Sequence, residues 1–176
     1  MTMNAEILDT ERAELLEVLG KQRNFLRFTT RGLTDDQARL RTTASELCLG
    51  GLVKHVTLVE RNWAGFIVTG PSAMRDFAAM TESDFADWAR QFRLLPGETL
   101  DGVLADYAAA AERTDELVRT LPDLSVTQAL PNAPWYPAGA RWSARRVFLH
   151  ILAETAQHCG HADIIRESLD GAKTMG

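Results

Sequence analysis

The sequence predicts an all-α protein folded as a four-helix bundle. Helix-forming residues dominate the chain, and no segment shows the alternation of apolar and polar residues that is typical of a strand. Four long helical segments follow one another, each bounded by capping or helix-breaking residues. The length of 176 residues suits a single domain, which we expect to cover residues 1–176. Bundles of this kind often build metal or cofactor sites from side chains on facing helices.

The first long helix is predicted over about residues 4–31. Gly32 ends it, and Thr34 is expected to cap a short helical turn that follows. The positions expected to be buried in this helix are Leu8, Leu15, Leu19, Phe25 and Phe28.

The second long helix is predicted over about residues 49–68, and Gly70-Pro71 closes it. A short acidic helix over about residues 83–92 is expected before Pro96. The second helix carries four residues at helical spacing, namely Leu52, His55, Val59 and Phe66.

Thr99 is expected to cap the third long helix, which the pattern places over residues 100–121 before Pro122. Residues 122–142, rich in proline and aromatic residues, are predicted to form a long loop. Ser143 then caps the last helix, which is expected to run to about residue 169 and to stop at Gly171.

Charge and composition exclude several classes of partner. The net charge is -5 and the charged residues are interspersed, which argues against nucleic acid. No apolar run approaches the ~20 residues that span a bilayer, and the acidic N-terminal segment lacks the pattern of a signal peptide. With only Cys48 and Cys159, no disulfide framework is expected. We therefore expect a cytoplasmic protein that binds neither membranes nor nucleic acid.

A polar stripe on the last helix is the main functional signal. It consists of His150, Glu154, His158 and His161, which point within roughly 80° of one another because a helix turns ~100° per residue. Three of these residues interrupt an otherwise apolar seam with 4-3-4-3-4 spacing: Val147, Ile151, Glu154, His158, His161 and Ile165. A carboxylate and imidazoles at such positions are costly unless each has a partner, and a divalent metal supplies one for several at once.

Glu154 and His158 lie one helical turn apart, close enough to bind one ion. A third ligand must come from another helix, and His55 is the only histidine outside the last helix. Two ligands from one helix and one from another, with positions left open, are typical of a catalytic metal site. The competing interpretation is a helix-surface contact between a glutamate and a histidine.

Two segments resemble a known family. The segment WSARRVFLHILAETAQHCGHADIIRE (residues 142–167) resembles the last helix of the DinB/YfiT-like superfamily of metalloenzymes, and LGGLVKHV (residues 49–56) resembles its second helix. The resemblance implies a DinB-type four-helix bundle and a divalent ion bound by His55, Glu154 and His158. The glutamate at position 154 resembles the variant of the mycothiol-dependent branch, which includes thiol S-transferases and a maleylpyruvate isomerase.

The resemblance implies a divalent-metal-dependent S-transferase that activates a small thiol, mycothiol, as a metal-bound thiolate for conjugation to an electrophile. Zinc is the expected ion, with nickel, iron and manganese as alternatives. A homodimer is implied by the family alone. The alternatives are a mycothiol-dependent isomerase, a hydrolase that uses metal-bound water, and a non-catalytic metal-binding stress or scaffold protein.

Further residues have candidate roles. His161 is counted with His55, Glu154 and His158 as catalytic, either orienting Glu154 or facing substrate. Arg145 and Trp142 are predicted to bind the thiol cosubstrate. A solvated face explains the arginine equally well, and aromatic residues in a proline-rich loop more often pack that loop against the bundle. His150 is expected to be a core histidine or an outer hydrogen-bond partner of the site. We expect Cys159 to be a small core residue and not a nucleophile.

Overall fold

Six α-helices make up most of the fold in this computed structural model, which describes residues 9–174. They are α1 (Thr10–Thr29), α2 (Asp35–Arg39), α3 (Leu49–Thr69), α4 (Glu82–Ala89), α5 (Leu100–Thr120) and α6 (Ala144–Asp170). Short 3-10 turns occur at Gly70–Ala73, Phe77–Ala79 and Arg90–Phe92. The strands are β1 (Thr127–Ala129) and β2 (Arg141–Ser143). The prediction of a mainly helical bundle is therefore confirmed.

The predicted caps explain where the helices begin. The hydroxyls of Thr34, Thr99 and Ser143 each accept a hydrogen bond from a backbone N–H in the first turn of the helix that follows. Gly70 and Gly171, both with positive φ, follow the last residues of α3 and α6. For α3, α5 and α6 the observed bounds differ from the predicted ones at the last residue only.

The first helix is shorter than predicted. It begins at Thr10, because the Asp9 carboxylate accepts a hydrogen bond from the Arg12 N–H at 2.9 Å and caps it there. Residues 4–8 of the predicted helix, including Leu8, lie outside the described residues. Of the other positions, Leu15 and Leu19 are buried as predicted and Phe25 is half-buried.

The predicted burial of Phe28 is wrong. Its side chain is 42% exposed near the end of α1. The Arg31 guanidinium lies 5.1 Å from the centre of its ring, a cation–π contact at the surface. The helical pattern identifies the face of a residue but not whether a neighbouring helix extends far enough to cover it.

The predicted loop over residues 122–142 contains a small antiparallel sheet that the sequence did not indicate. Gln128 of β1 pairs with Trp142 of β2, and the Leu130 N–H donates to the Ala140 carbonyl at 2.9 Å. Strands of three residues are too short to show a period-2 pattern. The sheet fixes Trp142 two residues before the first residue of α6.

The four long helices α1, α3, α5 and α6 enclose two apolar clusters. The first cluster includes Leu15, Leu19, Phe66, Val118 and Phe148. The second includes Leu26, Leu52, Tyr107 and Ala162. Along α1 and α6 the chain meets the first cluster before the second, and along α3 and α5 the order is reversed. Helices α1 and α6 therefore run in one direction, and α3 and α5 run in the other.

A buried polar layer separates the two clusters. Arg23 of α1 forms ion pairs with Glu60 of α3 at 2.5 Å and with Asp115 of α5 at 2.7 Å. Arg23 and Glu60 are 4% and 0% exposed, so the pair is removed from water. Nothing in the helical pattern had singled these residues out.

No helix within residues 9–174 combines the length and the apolar character required to cross a bilayer.

Gly51 allows the 3-10 turn Arg90–Phe92 to lie directly against α3. A Cβ at this position would lie 1.9 Å from the Phe92 carbonyl oxygen and 2.3 Å from its carbon. The G51A variant must therefore move this turn, and we expect it to lower the free energy of unfolding by roughly 1–3 kcal/mol. Urea denaturation measures the change.

The matched control is G20A in α1, where an added Cβ meets nothing within 4 Å. This variant is expected to gain about 0.5–1 kcal/mol from helix propensity. Equal stability of the two variants would show that the close approach at Gly51 has no energetic consequence.

Candidate metal centre and its cavity

Three side chains from two helices converge at the centre of the candidate site. His55 of α3 and Glu154 and His158 of α6 each offer a ligand atom, and these atoms all lie within 4.8 Å of one another. The His158 Nε2 is 3.8 Å from a Glu154 carboxylate oxygen. The rings of His55 and His158 meet edge to face, with centroids 4.7 Å apart. We call these three residues the triad.

The ring of His55 is held by two neighbours from the turn Arg90–Phe92. Phe92 stacks on it with ring centroids 4.2 Å apart, and the Gln91 Oε1 lies 3.2 Å from the His55 Nδ1. Because an amide oxygen can only accept, Nδ1 donates and carries the proton. The neutral ring then presents an unprotonated Nε2, the form that binds a metal.

His158 is oriented in a similar way. Its Nδ1 lies 3.3 Å from the Nδ1 of His161, while its Nε2 faces Glu154. The two imidazoles share one hydrogen bond, so His161 restricts rotation of the His158 ring. His161 is half-buried and is not among the residues that line the cavity beside the triad. The sequence suggested that His161 could orient Glu154, but in the structure its ring contacts His158.

Burial decides the protonation of the triad. It lowers the pKa of His158 to about 4, with added repulsion from His55 and His161. Burial also lowers the pKa of His55, opposed by the hydrogen bond to Gln91, and it raises the pKa of Glu154. Both imidazoles are therefore neutral at neutral pH, as metal binding requires.

The donor set fits a divalent cation. Two imidazole nitrogens and one carboxylate oxygen match the three protein ligands of catalytic zinc sites, which keep a further position open. The raised pKa of Glu154 reflects a half-buried carboxylate whose charge burial disfavours, and a cation would compensate it. His55, Glu154 and His158 are the residues that would hold the ion.

A cavity of about 750 Å³ opens beside the triad. His55 and Glu154 belong to its wall, together with residues from α3, α4, α6 and the segment that precedes β2. All four tryptophans of the sequence line it: Trp63, Trp88, Trp135 and Trp142. A ligand in this cavity can therefore contact His55 and Glu154 of the triad together with the tryptophan rings of the wall.

The sequence matches a family model described as mycothiol-S-transferase over residues 14–171. The chain belongs to the mycothiol S-transferase family. No curated protein matches it. The match includes all three triad residues, and it confirms the resemblance to the DinB/YfiT-like superfamily that the segments around His55 and Glu154 had indicated.

His150 lies next to the triad in this mycothiol S-transferase family member. Its Nε2 is 3.9 Å from a Glu154 carboxylate oxygen, and its ring meets Trp63 and Trp142 edge to face at 4.8 and 5.1 Å. Burial, with repulsion from Arg146, lowers its pKa to about 4. His150 is thus both packed among aromatic rings and adjacent to the Glu154 carboxylate.

The structure separates the two residues that were expected to bind the thiol. Trp142 lines the cavity and stacks on Trp63 with ring centroids 4.8 Å apart. Arg145 does not reach the cavity, because its guanidinium pairs with the carboxylate of Glu11. Consecutive helical residues point ~100° apart, and the arginine on the cavity side is Arg146.

Gln91 and Phe92 were missed by sequence reasoning. They lie in a 3-10 turn that the sequence pattern had included in the predicted acidic helix. The available signal was indirect: the glycine at position 51, one turn before His55, implied a close backbone approach near that histidine.

Replacing Gln91 tests its role as a support for His55. The Q91L variant removes the acceptor for the His55 Nδ1–H, and we expect metal affinity to fall about 10–100-fold. Competition with a chromophoric chelator measures the affinity. The Q91E variant keeps an acceptor oxygen and is expected to bind metal within a few-fold of wild type. Equal affinities of Q91L and wild type would contradict the supporting role.

Proposed function

We propose that this protein is a divalent-metal-dependent S-transferase that joins mycothiol to an electrophile. The observation that carries the proposal is the convergence of His55, Glu154 and His158 beside a large cavity, in a chain of the mycothiol S-transferase family. Zinc is the proposed ion, with nickel, iron and manganese as alternatives that suit the same donors.

The triad gives the site its charge and geometry. A divalent ion held there supplies a positive charge that favours the ionised form of a thiol. Glu154 contributes one negative charge and the two histidines contribute none, which leaves a net positive centre. His55 and His158 are fixed by Gln91, Phe92 and His161, so the donors are oriented before any ligand enters.

The reacting sulfur is proposed to come from outside the protein. Cys48 and Cys159 are both buried, and neither lines the cavity. Burial raises the pKa of the Cys159 thiol to about 11, so it stays protonated at neutral pH. A small thiol such as mycothiol therefore provides the nucleophile, and its proton passes to solvent. A carbon–sulfur bond to the electrophile forms while the bond from that carbon to its leaving group breaks, and the leaving group departs as an anion, bromide in the case of monobromobimane.

The cavity favours an enzyme over a metal-binding scaffold, because a scaffold site is expected to be closed by its ligands. Here His55 and Glu154 are both part of the cavity wall. A cytoplasmic location and a homodimer remain proposals that rest on the family.

Removal of the metal tests the proposed function. We expect chelator-treated protein to lose mycothiol conjugation to a neutral electrophile such as monobromobimane by on the order of 100-fold or more, because an activating ion contributes several kcal/mol. Activity is expected to return on addition of one equivalent of Zn²⁺. Reactions without protein and with glutathione in place of mycothiol serve as controls. Undiminished turnover by metal-free protein would contradict the proposal.

A further inference from the structure

The proposed activation of the thiol gives no role to Arg146 or to most of the aromatic residues in the cavity wall. We propose that Arg146, together with the tryptophans around it, binds the electrophile, and that this electrophile is a flat molecule carrying a carboxylate. The inference deepens the proposed function, on which it rests, by naming the class of the second substrate.

The guanidinium of Arg146 lies in an aromatic stack. Its central carbon is 4.3 Å from the centre of the Trp142 ring, and Trp142 in turn stacks on Trp63 at an interplanar angle of 16°. Stacking occupies the face of a guanidinium and leaves its N–H groups, which lie in the plane, available for hydrogen bonds. A carboxylate is the group that such a planar fork binds with two parallel hydrogen bonds.

Two other cations of the cavity wall already have ion-pair partners. Lys54 contacts Glu98 at 2.6 Å, and Arg90 contacts Asp87 at 3.2 Å. Arg146 forms no ion pair with any carboxylate in the described part of the chain, residues 9–174. Arg75, the remaining cation of the wall, is exposed and interacts electrostatically with Asp84. Arg146 is instead held over the Trp142 ring, so it is the wall cation best oriented to bind a ligand carboxylate.

A second donor in the wall is also unsatisfied. Gln91 is 9% exposed, its Oε1 accepts from His55, and its buried Nε2 has no hydrogen-bond partner in the described residues. A buried amide N–H₂ without an acceptor is unfavourable, so an acceptor on a ligand would be stabilised there. Both free donors, Arg146 and Gln91, thus favour an anionic or strongly accepting molecule.

The shape of the wall favours a flat molecule. Trp88 and Trp135 are 39% and 55% exposed although they belong to the cavity, and Trp135 meets Phe77 edge to face at 4.6 Å. Exposed indole faces gain from stacking on a planar ligand, which removes apolar surface from water. The combination of an arginine fork with indole faces fits an aromatic carboxylate better than an aliphatic or neutral electrophile.

A matched pair of probes tests the inference: 4-chloro-3-nitrobenzoate and 4-chloro-3-nitrobenzamide. In both, the mycothiol sulfur attacks the ring carbon that bears chlorine, the carbon–sulfur bond forms, chloride leaves and the thiol proton passes to the buffer. The two probes differ in one substituent only, which is a carboxylate in the first and a carboxamide in the second. Binding is measured without thiol, by quenching of tryptophan fluorescence, and kcat/KM is measured with mycothiol.

We expect wild type to prefer the benzoate to the benzamide by roughly tenfold or more in both measurements, as for a charge-assisted hydrogen-bonded pair. In the R146Q variant this preference is expected to disappear because the affinity for the benzoate falls. The affinity and kcat/KM for the benzamide are expected to stay within about twofold of wild type. R145Q is the matched control: it is adjacent and has the same charge change, but Arg145 pairs with Glu11 outside the cavity. This control should keep the preference of wild type.

The outcomes separate the inference from the proposed function. Selective benzoate binding that R146Q abolishes, without conjugation of either probe, would support the binding site and refute the transferase. Conjugation of both probes at equal kcat/KM, unchanged in R146Q, would support the transferase and overturn the inference. A benzoate preference retained in R146Q, or lost in R145Q instead, would also overturn it.

Discussion

Replacing His55 by alanine is expected to abolish stoichiometric metal binding and, with it, mycothiol conjugation. His55 supplies the one donor of the triad that comes from α3, and no other described carboxylate, imidazole or thiol completes a three-residue cluster there. Loss of an outer hydrogen-bond partner of a metal ligand costs about 10–100-fold in affinity, so loss of a ligand is expected to cost at least roughly 100-fold. Elemental analysis of protein dialysed against zinc measures the effect.

His150 provides the control for that experiment. It lies on α6 one turn before Glu154 and contacts the same carboxylate, but it is not part of the triad. We expect H150A to retain one metal ion per chain, and H158A to lose it as H55A does. A metal content of H55A equal to that of H150A would show that the ion binds elsewhere.

Removing Glu60 is expected to cause the largest loss of stability. The E60A variant leaves the Arg23 guanidinium buried with Asp115 as its remaining ion-pair partner. Breaking a buried ion pair in this way costs about 3–5 kcal/mol, and the residual contact with Asp115 places the expected loss near the lower value. Guanidinium chloride denaturation followed by circular dichroism measures the change.

Two variants make the interpretation specific. E116A removes a glutamate of α5 that is 57% exposed and pairs with Arg113 at the surface, and it is expected to change stability by less than about 0.5 kcal/mol. The double variant R23M/E60L replaces the buried pair by apolar side chains and should recover most of the loss. If E60A were as stable as E116A, the polar layer would have no part in holding the bundle together.

The bounds of α3, α5 and α6 were predictable because their signals are local. Thr99 and Ser143 cap the helices that follow them, and Gly70 and Gly171 adopt the positive φ that ends a helix. Glycine and hydroxyl residues have these effects through their own backbone or the next turn, without help from distant parts of the chain.

The convergence of the triad was partly predictable. The spacing of Glu154 and His158 places them on one face of a helix whatever its surroundings. The position of His55 required a further assumption, that its helix packs against the last one, and this came from the rarity of histidine outside α6. The structure brings all three residues together, and their roles in binding and catalysis remain proposals.

The remaining features depend on tertiary contacts that have no periodic signal. Gln91 reaches His55 through a 3-10 turn, and Arg23 finds Glu60 across the bundle. The choice between Arg145 and Arg146 depends on the rotation of α6 at its first turn, where Glu11 happens to lie on one side and Trp142 on the other. Sequence patterns contain no information on such rotations.

The central claim is that one divalent ion is bound by His55, Glu154 and His158. The most direct test is anomalous diffraction at the zinc edge from crystals of the protein grown with one equivalent of zinc. If the triad binds the ion, a single strong peak is expected about 2.0–2.2 Å from a nitrogen of each histidine and from a carboxylate oxygen of Glu154. A zinc peak elsewhere, or none between α3 and α6, would contradict it.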